Sequence, residues 1–184
     1  MWYAIFVATG MELEVCRLIK AHLNRIKYNR DYELLVLRKE MRDKKQKIYT
    51  VNNHVLFMGY VLIRSDEIEK IYQIIKGCKH TYRFLKTEDE FCIIEPKEIE
   101  HIQSLANEDG VICMSKAFAI GDQIVIAEGP LVNYHGKIVK IDKRKSRVRV
   151  EMRLNEKIHL IDLAVEIIER QDKNMYIILY QPMK

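Results

Sequence analysis

Residues 121–142 read GDQIVIAEGPLVNYHGKIVKID, and this stretch decides the fold of the second half of the chain. It opens on a turn at Gly121 and continues as a strand in which apolar and polar residues alternate. Gly129 and Pro130 make a second turn, and Gly136 permits a backbone that a residue with a Cβ would resist. A second alternating strand follows. The pattern predicts two short strands joined by a tight connection.

Residues 137–153 begin inside this stretch and carry a concentrated positive charge. They hold eight basic and two acidic side chains, whereas the whole chain of 184 residues has a net charge of +5. Such a concentration attracts phosphate groups. We therefore take seven basic residues around one predicted turn as candidates for nucleic-acid binding: Lys137, Lys140, Lys143, Arg144, Lys145, Arg147 and Arg149. The alternative is a solvated hairpin whose charges only maintain solubility.

Further short apolar alternations follow between residues 148 and 168, separated by charged turns. Several short strands at close spacing predict a small all-β barrel, which we place at residues 120–170. Residues 109–119 are predicted to be a linker. Residues 171–184 form a C-terminal extension of unassigned role, for which an extra edge strand and a tail are the two alternatives.

The first part of the chain alternates between strand and helix patterns. The first helix is predicted to bury an apolar face that runs from Leu13 to Ile26, and the second to begin at Asp66 and end at Gly77. The predicted elements are strand 2–8, helix 12–26, strand 32–37, a basic separator at 38–47, extended segments 47–51 and 54–63, the second helix, extended segments 81–85 and 91–94, and a short helix from Pro96. This β-α-β-β-α-β order predicts a ferredoxin-like, split βαβ sheet with helices on one face.

The composition excludes several classes of protein. It is 48% hydrophobic and 31% charged, with only 7 Gly and 3 Pro, so a disordered or low-complexity chain is excluded. No apolar run approaches the roughly 20 residues of a membrane-spanning helix. The first residues lack the basic region and cleavage site of a secretory signal. We expect a cytoplasmic protein with no membrane partner.

Enzyme and metal motifs are missing from the sequence. The four cysteines include no CxxC pair, and Cys78 and His80 are the nearest approach to paired metal ligands. The six histidines are scattered, and there is no glycine-rich phosphate loop, HExxH or GxSxG motif. We expect no catalytic activity, no cofactor and no metal.

Two segments together resemble one protein family. The stretch quoted first resembles the KOW motif of small barrels that bind RNA or protein. Residues 2–10, WYAIFVATG, resemble the opening strand of the NusG family of transcription elongation factors. Residues 56–63, LFMGYVLI, resemble its Phe-Pro-Gly-Tyr-Val signature, with Met58 where proline is usual. The resemblance implies a NusG-like α+β N-terminal domain at residues 1–108, followed by an all-β KOW barrel.

The resemblance also implies a partner for the first domain. In that family the N-terminal domain binds the clamp helices of the largest subunit of RNA polymerase through an apolar patch. Carried over to this sequence, the patch comprises Ala4, Phe6, Phe57, Tyr60 and Leu62. The i, i+2 spacings within it place side chains on one face of a sheet. The alternative is that all five are ordinary core residues.

Within the family, the chain resembles the specialised LoaP paralogues more than the general factor. The residues EGPL at 128–131, IDKRK at 141–145 and the compact linker favour this. RLNEK at 153–157 stands where the general factor has a Phe-Gly-Arg segment that docks a ribosomal protein or a termination helicase. The resemblance implies an antitermination factor that is recruited by nascent RNA, at a structured leader hairpin. A housekeeping elongation factor and a stand-alone KOW protein that binds RNA or the ribosome are the alternatives.

A further contact of the first domain is left open. Arg17, Lys20 and Arg25 of the first helix could face the upstream non-template DNA, and a solvated helix face is the alternative. We expect the protein to be a monomer.

Overall fold

A computed structural model describes residues 1–46, 48–76, 81–86, 90–120 and 123–168 of the chain. The predictions made at Gly77, Cys78, His80, Gly121 and residues 171–184 lie outside these ranges.

The described residues contain three α-helices, thirteen strands and one short 3-10 helix, Pro130–Asn133. The helices are α1 (Glu12–Arg25), α2 (Ile68–Ile75) and α3 (Pro96–Gln103). The strands are β1 (Trp2–Val7), β2 (Tyr32–Leu35), β3 (Arg38–Lys45), β4 (Ile48–Val55), β5 (Tyr60–Ser65), β6 (Thr81–Phe84), β7 (Ile93–Ile94), β8 (Val111–Ile112), β9 (Ser115–Ile120), β10 (Gln123–Glu128), β11 (Ile138–Asp142), β12 (Arg147–Leu154) and β13 (Lys157–Ile168).

The chain divides into two compact units. The first comprises Met1–Arg38, Val55–Gln103 and Arg153–Lys157. The second comprises Lys39–His54, Ser104–Met152 and the residues from Ile158 onward.

In the first unit, four strands form an antiparallel sheet in the order β2-β5-β1-β6, and β7 adds a short pair to β1. Strand β5 separates β1 from β2, the two strands that α1 connects, which is the split βαβ arrangement. Helices α1 and α2 contribute to one buried cluster with the sheet, in which Ile5, Val61 and Ile71 are fully buried. The predicted ferredoxin-like α+β fold is confirmed.

The buried face of α1 differs from the predicted one. Val15, Ile19 and Leu23 recur every four residues and are fully buried. Leu13 and Ile26, the predicted ends of the apolar face, are exposed. Two residues correspond to about 200° around a helix, so Leu13 lies nearly opposite Val15.

The start of α2 also differs from the prediction. Glu67 is the N-cap residue, and its backbone N–H donates to the Ser65 hydroxyl at 3.1 Å. The predicted N-cap residue, Asp66, instead binds the N-terminal ammonium of Met1 with its carboxylate, at 3.2 Å. The α2 helix therefore begins one residue later than expected.

Strands β3, β4 and β8 form a three-stranded sheet in the order β4-β3-β8. The sequence predicts a basic separator at residues 38–47, but the structure has β3 there. Met41 is buried, and the Glu40 carboxylate accepts a hydrogen bond from the Met114 backbone N–H at 2.8 Å. Strand pairing and these anchored side chains hold a highly charged segment in an extended conformation.

The remaining strands form a five-stranded sheet in the order β10-β9-β13-β12-β11. Strand β9 pairs in parallel with β13, and β12 buries Val148, Val150 and Met152 in strict alternation. The all-β character predicted for this region is confirmed. The predicted linker at 109–119 contains β8 and most of β9 because these residues pair with neighbouring strands, and Ala117 among them is fully buried.

Two glycines of the opening stretch are required for different reasons. Gly129 has φ +93°, and a Cβ there would lie 2.8 Å from the backbone Cα of Ser115. Gly136 is not in the left-handed region, contrary to the expectation of a special backbone conformation. A Cβ at Gly136 would instead collide with the Tyr134 hydroxyl, which packs over it and donates to the Glu151 carbonyl.

In the described ranges, no α-helix is long and apolar enough to span a membrane. The same residues contain no group of three or more His, Cys, Asp or Glu side chains placed to hold a metal ion. Burial raises the pKa of the Cys16 thiol, which makes it a weak nucleophile.

Candidate interaction sites

The register of β1 against β5 brings four of the predicted polymerase-binding residues together. Ala4 lies opposite Leu62, and Phe6 lies opposite Tyr60. Alternation along β1 puts Ala4 and Phe6 on the sheet face opposite that of Ile5, which packs with the helices. The four side chains therefore lie on the face of the sheet opposite the one that packs against α1 and α2.

Burial divides the five predicted residues into two groups. Ala4, Phe57 and Leu62 are at most 4% exposed, whereas Phe6 and Tyr60 are half-buried. The Phe6 and Tyr60 rings meet edge to face, with centroids 5.7 Å apart. We call these two residues the aromatic pair. Of the five residues, only the aromatic pair retains appreciable surface.

Charged and flexible groups adjoin the aromatic pair. The Arg83 guanidinium lies 5.8 Å from the centroid of the Phe6 ring, and the Met58 side chain is 70% exposed. An aromatic ring face attracts a cation, and 5.8 Å is close to the limit of that attraction. The combination of aromatic edges, an arginine and a methionine suits an adaptable protein contact.

A buried carboxylate that sequence reasoning missed fixes the turn before Tyr60. Gly59, at φ +83°, donates its backbone N–H to the Glu12 carboxylate at 2.7 Å, and its carbonyl accepts from the Val7 N–H at 2.9 Å. Glu12 is 1% exposed. These bonds join the start of α1, the end of β1 and the start of β5. The aromatic pair consequently stands on a rigid support.

The predicted nucleic-acid residues lie on the β11–β12 hairpin. Lys140 is opposite Arg149, and Asp142 is opposite Arg147. Arg147 and Arg149 alternate with buried Val148, so both point away from the core, as their spacing predicts. The connecting turn is closed by a hydrogen bond from the Lys145 N–H to the Asp142 carboxylate at 3.0 Å.

Two of the seven predicted basic residues are held by carboxylates. Arg149 donates to both Asp162 oxygens, at 2.6 and 3.0 Å, and this contact holds the pKa of Asp162 below its usual range. Lys137 binds Glu151 at 2.9 Å. A paired base presents less net charge to a phosphate group. Two of the seven charges counted from the sequence are thus neutralised locally.

The other five basic residues differ in exposure. Lys143 and Arg147 are half-buried, whereas Lys140, Arg144 and Lys145 are exposed. Within the part of the chain that the structure describes, no carboxylate pairs with these three exposed residues. We call Lys140, Arg144 and Lys145 the exposed basic set. It provides the charge on this hairpin that is most accessible to an RNA backbone.

Sequence reasoning missed a second base that binds Asp162. The Lys39 ammonium donates to the Asp162 backbone carbonyl at 2.8 Å, across 123 positions of sequence. Burial lowers the pKa of Lys39, the Asp162 charge partly offsets this, and the charges of Arg147 and Arg149 lower the pKa further. No local pattern links these residues, because β3 and β13 meet only in the folded second unit.

The sequence model of one protein family, described as "Transcription termination factor nusG", matches residues 1–103. The chain is 22% identical over 172 residues to the transcription termination/antitermination protein NusG of Rickettsia bellii (strain RML369-C). The aligned region covers 93% of this chain and 90% of that relative. It is also 20% identical over 174 residues to the protein of the same name from Vibrio vulnificus (strain CMCP6). That alignment covers 93% of this chain and 96% of the relative.

Solved structures of similar proteins include NusG of Thermotoga maritima. It has a TM-score of 0.48 and 17% identity, over 89% of this chain and 92% of that one. The N-terminal domain of NusG from Methanocaldococcus jannaschii has a TM-score of 0.37 and 18% identity, over 54% of this chain and 96% of that one.

Proposed function

Since the chain belongs to the NusG family, we propose that it is a specialised antitermination factor that binds RNA polymerase through its first unit and RNA through its second. Proteins of this family work with RNA polymerase in transcription and are not enzymes. The observation that carries the proposal is the family match over residues 1–103, which include the aromatic pair.

In the proposed polymerase contact, Phe6 and Tyr60 of this chain bind the clamp helices of the largest polymerase subunit. Half-buried aromatic side chains on a rigid support lose little conformational entropy on binding and are frequent hot spots of protein interfaces. Ala4 and Leu62 belong to this proposal as the buried residues next to the two rings on the same sheet face. Phe57 belongs to it as a buried residue whose carbonyl accepts the Tyr60 N–H at 3.3 Å.

The proposed mechanism requires no bond to be made or broken. A factor that binds the closed state of the polymerase clamp more tightly than the open, paused state shifts the population toward the closed state. Contacts of the exposed basic set with a structured leader hairpin raise the local concentration of the factor at chosen transcripts. Pausing and termination are then suppressed on those transcripts.

The polymerase contact is tested with the double variant Phe6→Ala and Tyr60→Ala in the full chain. We expect its affinity for core RNA polymerase to fall about 30-fold or more, since hot-spot residues contribute about 2 kcal/mol or more. Tyr49→Ala, which removes an exposed aromatic of the second unit, is the matched control and should bind normally. Wild-type affinity in a folded double variant would reject the proposed contact.

A housekeeping elongation factor is the second candidate, because the curated relatives carry the general NusG name. The turn between β12 and β13 does not by itself tell the specialised factor from the housekeeping one. Its Asn155 and Glu156 N–H groups both donate to the buried Glu98 carboxylate. Transcription through a terminator, with and without a candidate leader hairpin upstream, separates the two. Readthrough that requires the hairpin supports the specialised factor, and readthrough or termination independent of it supports the housekeeping one.

A further inference from the structure

The β3–β4 hairpin carries an exposed aromatic ring between two cations. The Tyr49 side chain is 54% exposed. The Arg42 guanidinium lies 4.8 Å from the centroid of its ring, and the Lys44 ammonium lies 5.3 Å from it. All three residues are exposed on this hairpin of the second unit. None of them belongs to the sites described above.

The two faces of this hairpin have different roles. On one face, the Asp43 carboxylate accepts hydrogen bonds from the Asn52 amide at 2.9 Å and pairs with the His54 ring at 2.8 Å. That network closes the hairpin and occupies the Asp43 carboxylate. Alternation places Tyr49 with Val51, which is 52% exposed, on the other face, together with Arg42 and Lys44. Glu40 shares that face by alternation, and its carboxylate is held by the Met114 N–H.

This combination matches the chemistry of an unpaired polynucleotide strand. Every base has a flat face that stacks on an aromatic ring, and every nucleotide adds a phosphate that attracts Arg and Lys. A protein partner would be expected to cover the apolar residues with apolar ones, whereas the two flanking cations here favour a polyanion. Arg42 can also bind a phosphate through two N–H groups at once.

We propose that the outer face of the β3–β4 hairpin binds an unpaired segment of RNA, with one base stacked on Tyr49 and adjoining phosphates against Arg42 and Lys44. The choice of RNA rests on the proposed function, because the same unit carries the exposed basic set. The two basic regions are joined through Asp162, whose carbonyl binds Lys39 of β3 and whose carboxylate binds Arg149 of β12. The β3–β4 and β11–β12 hairpins therefore adjoin at Asp162 within the second unit.

The test measures the affinity of the full chain for a fluorescein-labelled ten-nucleotide uridine RNA by fluorescence anisotropy. Tyr49→Ala should weaken binding about 5- to 100-fold, the range that loss of one base–aromatic stack gives. Tyr49→Phe keeps the ring and should bind within about twofold of wild type. Tyr49→Leu keeps apolar bulk without an aromatic face and should resemble Tyr49→Ala. A Tyr49→Ala variant that is folded by circular dichroism and binds as wild type does would overturn the proposal.

The charges are tested on the same oligonucleotide. Removing Arg42 and Lys44 together should reduce the slope of log affinity against log salt by about 1.4, since each phosphate contact of a single strand contributes about 0.7. An unchanged slope would overturn the assignment of these two residues to phosphates.

A second set of measurements separates this inference from the proposed function. Arg144→Ala with Lys145→Ala should weaken binding of a structured leader hairpin more than binding of the uridine oligonucleotide, and Tyr49→Ala should do the reverse. If the hairpin binds and the oligonucleotide does not, the inference fails and the proposed RNA contact stands. If only the oligonucleotide binds, with its dependence on Tyr49, the inference stands and the proposed hairpin contact fails.

Other occupants of the face are distinguished by the same variants. Tighter binding of a ten-nucleotide thymidine DNA than of the uridine RNA would overturn the choice of RNA. If Tyr49→Ala weakens binding to core polymerase but not to the oligonucleotide, the face is a protein contact and the proposal fails. The proposal also fails if Tyr49→Ala abolishes self-association in sedimentation equilibrium without changing oligonucleotide affinity, because the face then binds a second copy of the chain.

Discussion

The two basic hairpins of the second unit, β3–β4 and β11–β12, use similar residues in different ways. In β11–β12, one strand alternates buried valines with arginines, and carboxylates hold Arg149 and Lys137. In β3–β4, strand β4 is exposed from Ile48 to His54, and two cations lie over an aromatic ring instead of a carboxylate. The difference teaches that the net charge of a segment does not tell which of its charges reach a ligand.

The largest expected difference between the hairpins is in stability. Val150 of β12 is fully buried, whereas Val51 of β4 is 52% exposed. We expect Val150→Ala to lower the free energy of unfolding by about 2 kcal/mol, because it removes two buried carbons and leaves a cavity. Val51→Ala, the same change on the other hairpin, should alter it by less than about 0.5 kcal/mol.

Urea denaturation followed by circular dichroism measures both valine variants. Equal losses would contradict the contrast, since they would mean that the β4 valine is covered in solution. A change in the slope of the urea transition would show that the variant altered the denatured or native ensemble rather than stability alone.

Much of the fold can be predicted from the sequence because its signals are local. Strand β1 follows from a continuous apolar, aromatic-rich stretch, and helix α3 follows from a proline at a helix start. The pairing of β1 with β5 follows from the family resemblance, since alternation alone does not choose a partner strand. Strand β3 cannot be predicted from the sequence, because a highly charged segment is typical of a loop. Its extended conformation comes from pairing with β4 and β8.

The candidate sites were less predictable than the fold. Alternation places Phe6 with Ala4 on one face of their strand, and Tyr60 with Leu62 on one face of theirs. It does not tell that the two strands pair in this register, or that Ala4 and Leu62 are covered. The pairing of Arg149 with Asp162 spans 13 positions, and the contact of Lys39 spans 123. No sequence motif marks Tyr49 as a binding residue. Its role depends on two cations that only the folded hairpin brings over its ring.

The next prediction sharpens the contrast between accessible and paired charge on β11–β12. Replacing Arg144 and Lys145 with Ala should weaken binding of a structured leader hairpin about tenfold, since each lost solvent-exposed ionic contact contributes about 0.7 kcal/mol. The salt slope should fall by about 0.7 to 0.9 per residue. Arg149→Ala is the matched control and should change the affinity less, because its charge is already paired with Asp162. Filter binding over a salt series measures both effects.

The alternative to this prediction is that the arginine held by Asp162 exchanges its partner for a phosphate. In that case Arg149→Ala would weaken binding as much as the double variant does. A flat salt dependence in the wild type would remove the premise of phosphate contacts on this hairpin altogether.

The smallest expected effect concerns the pH dependence of the pair itself. The hydrogen bonds from Arg149 lower the pKa of Asp162 in the folded state, so the folded pKa lies below the unfolded one. The pair therefore stabilises the fold at pH values above the usual range of an aspartate, and this contribution is lost as the pH falls through the folded pKa.

At neutral pH, Asp162→Asn should lower the Tm by only about 2 °C, because ion pairs with substantial solvent exposure contribute little. The gap between variant and wild type should begin to narrow as the pH falls through the usual range of an aspartate, and should close once the folded wild-type carboxyl is protonated. Thermal melts at pH 7, 5 and 3 measure this, with Glu108→Gln on an exposed turn as control. A gap that stays constant down to pH 3 would mean that Asp162 acts through packing or through its neutral hydrogen bonds, and the contrast between paired and accessible charge would then lose its electrostatic basis.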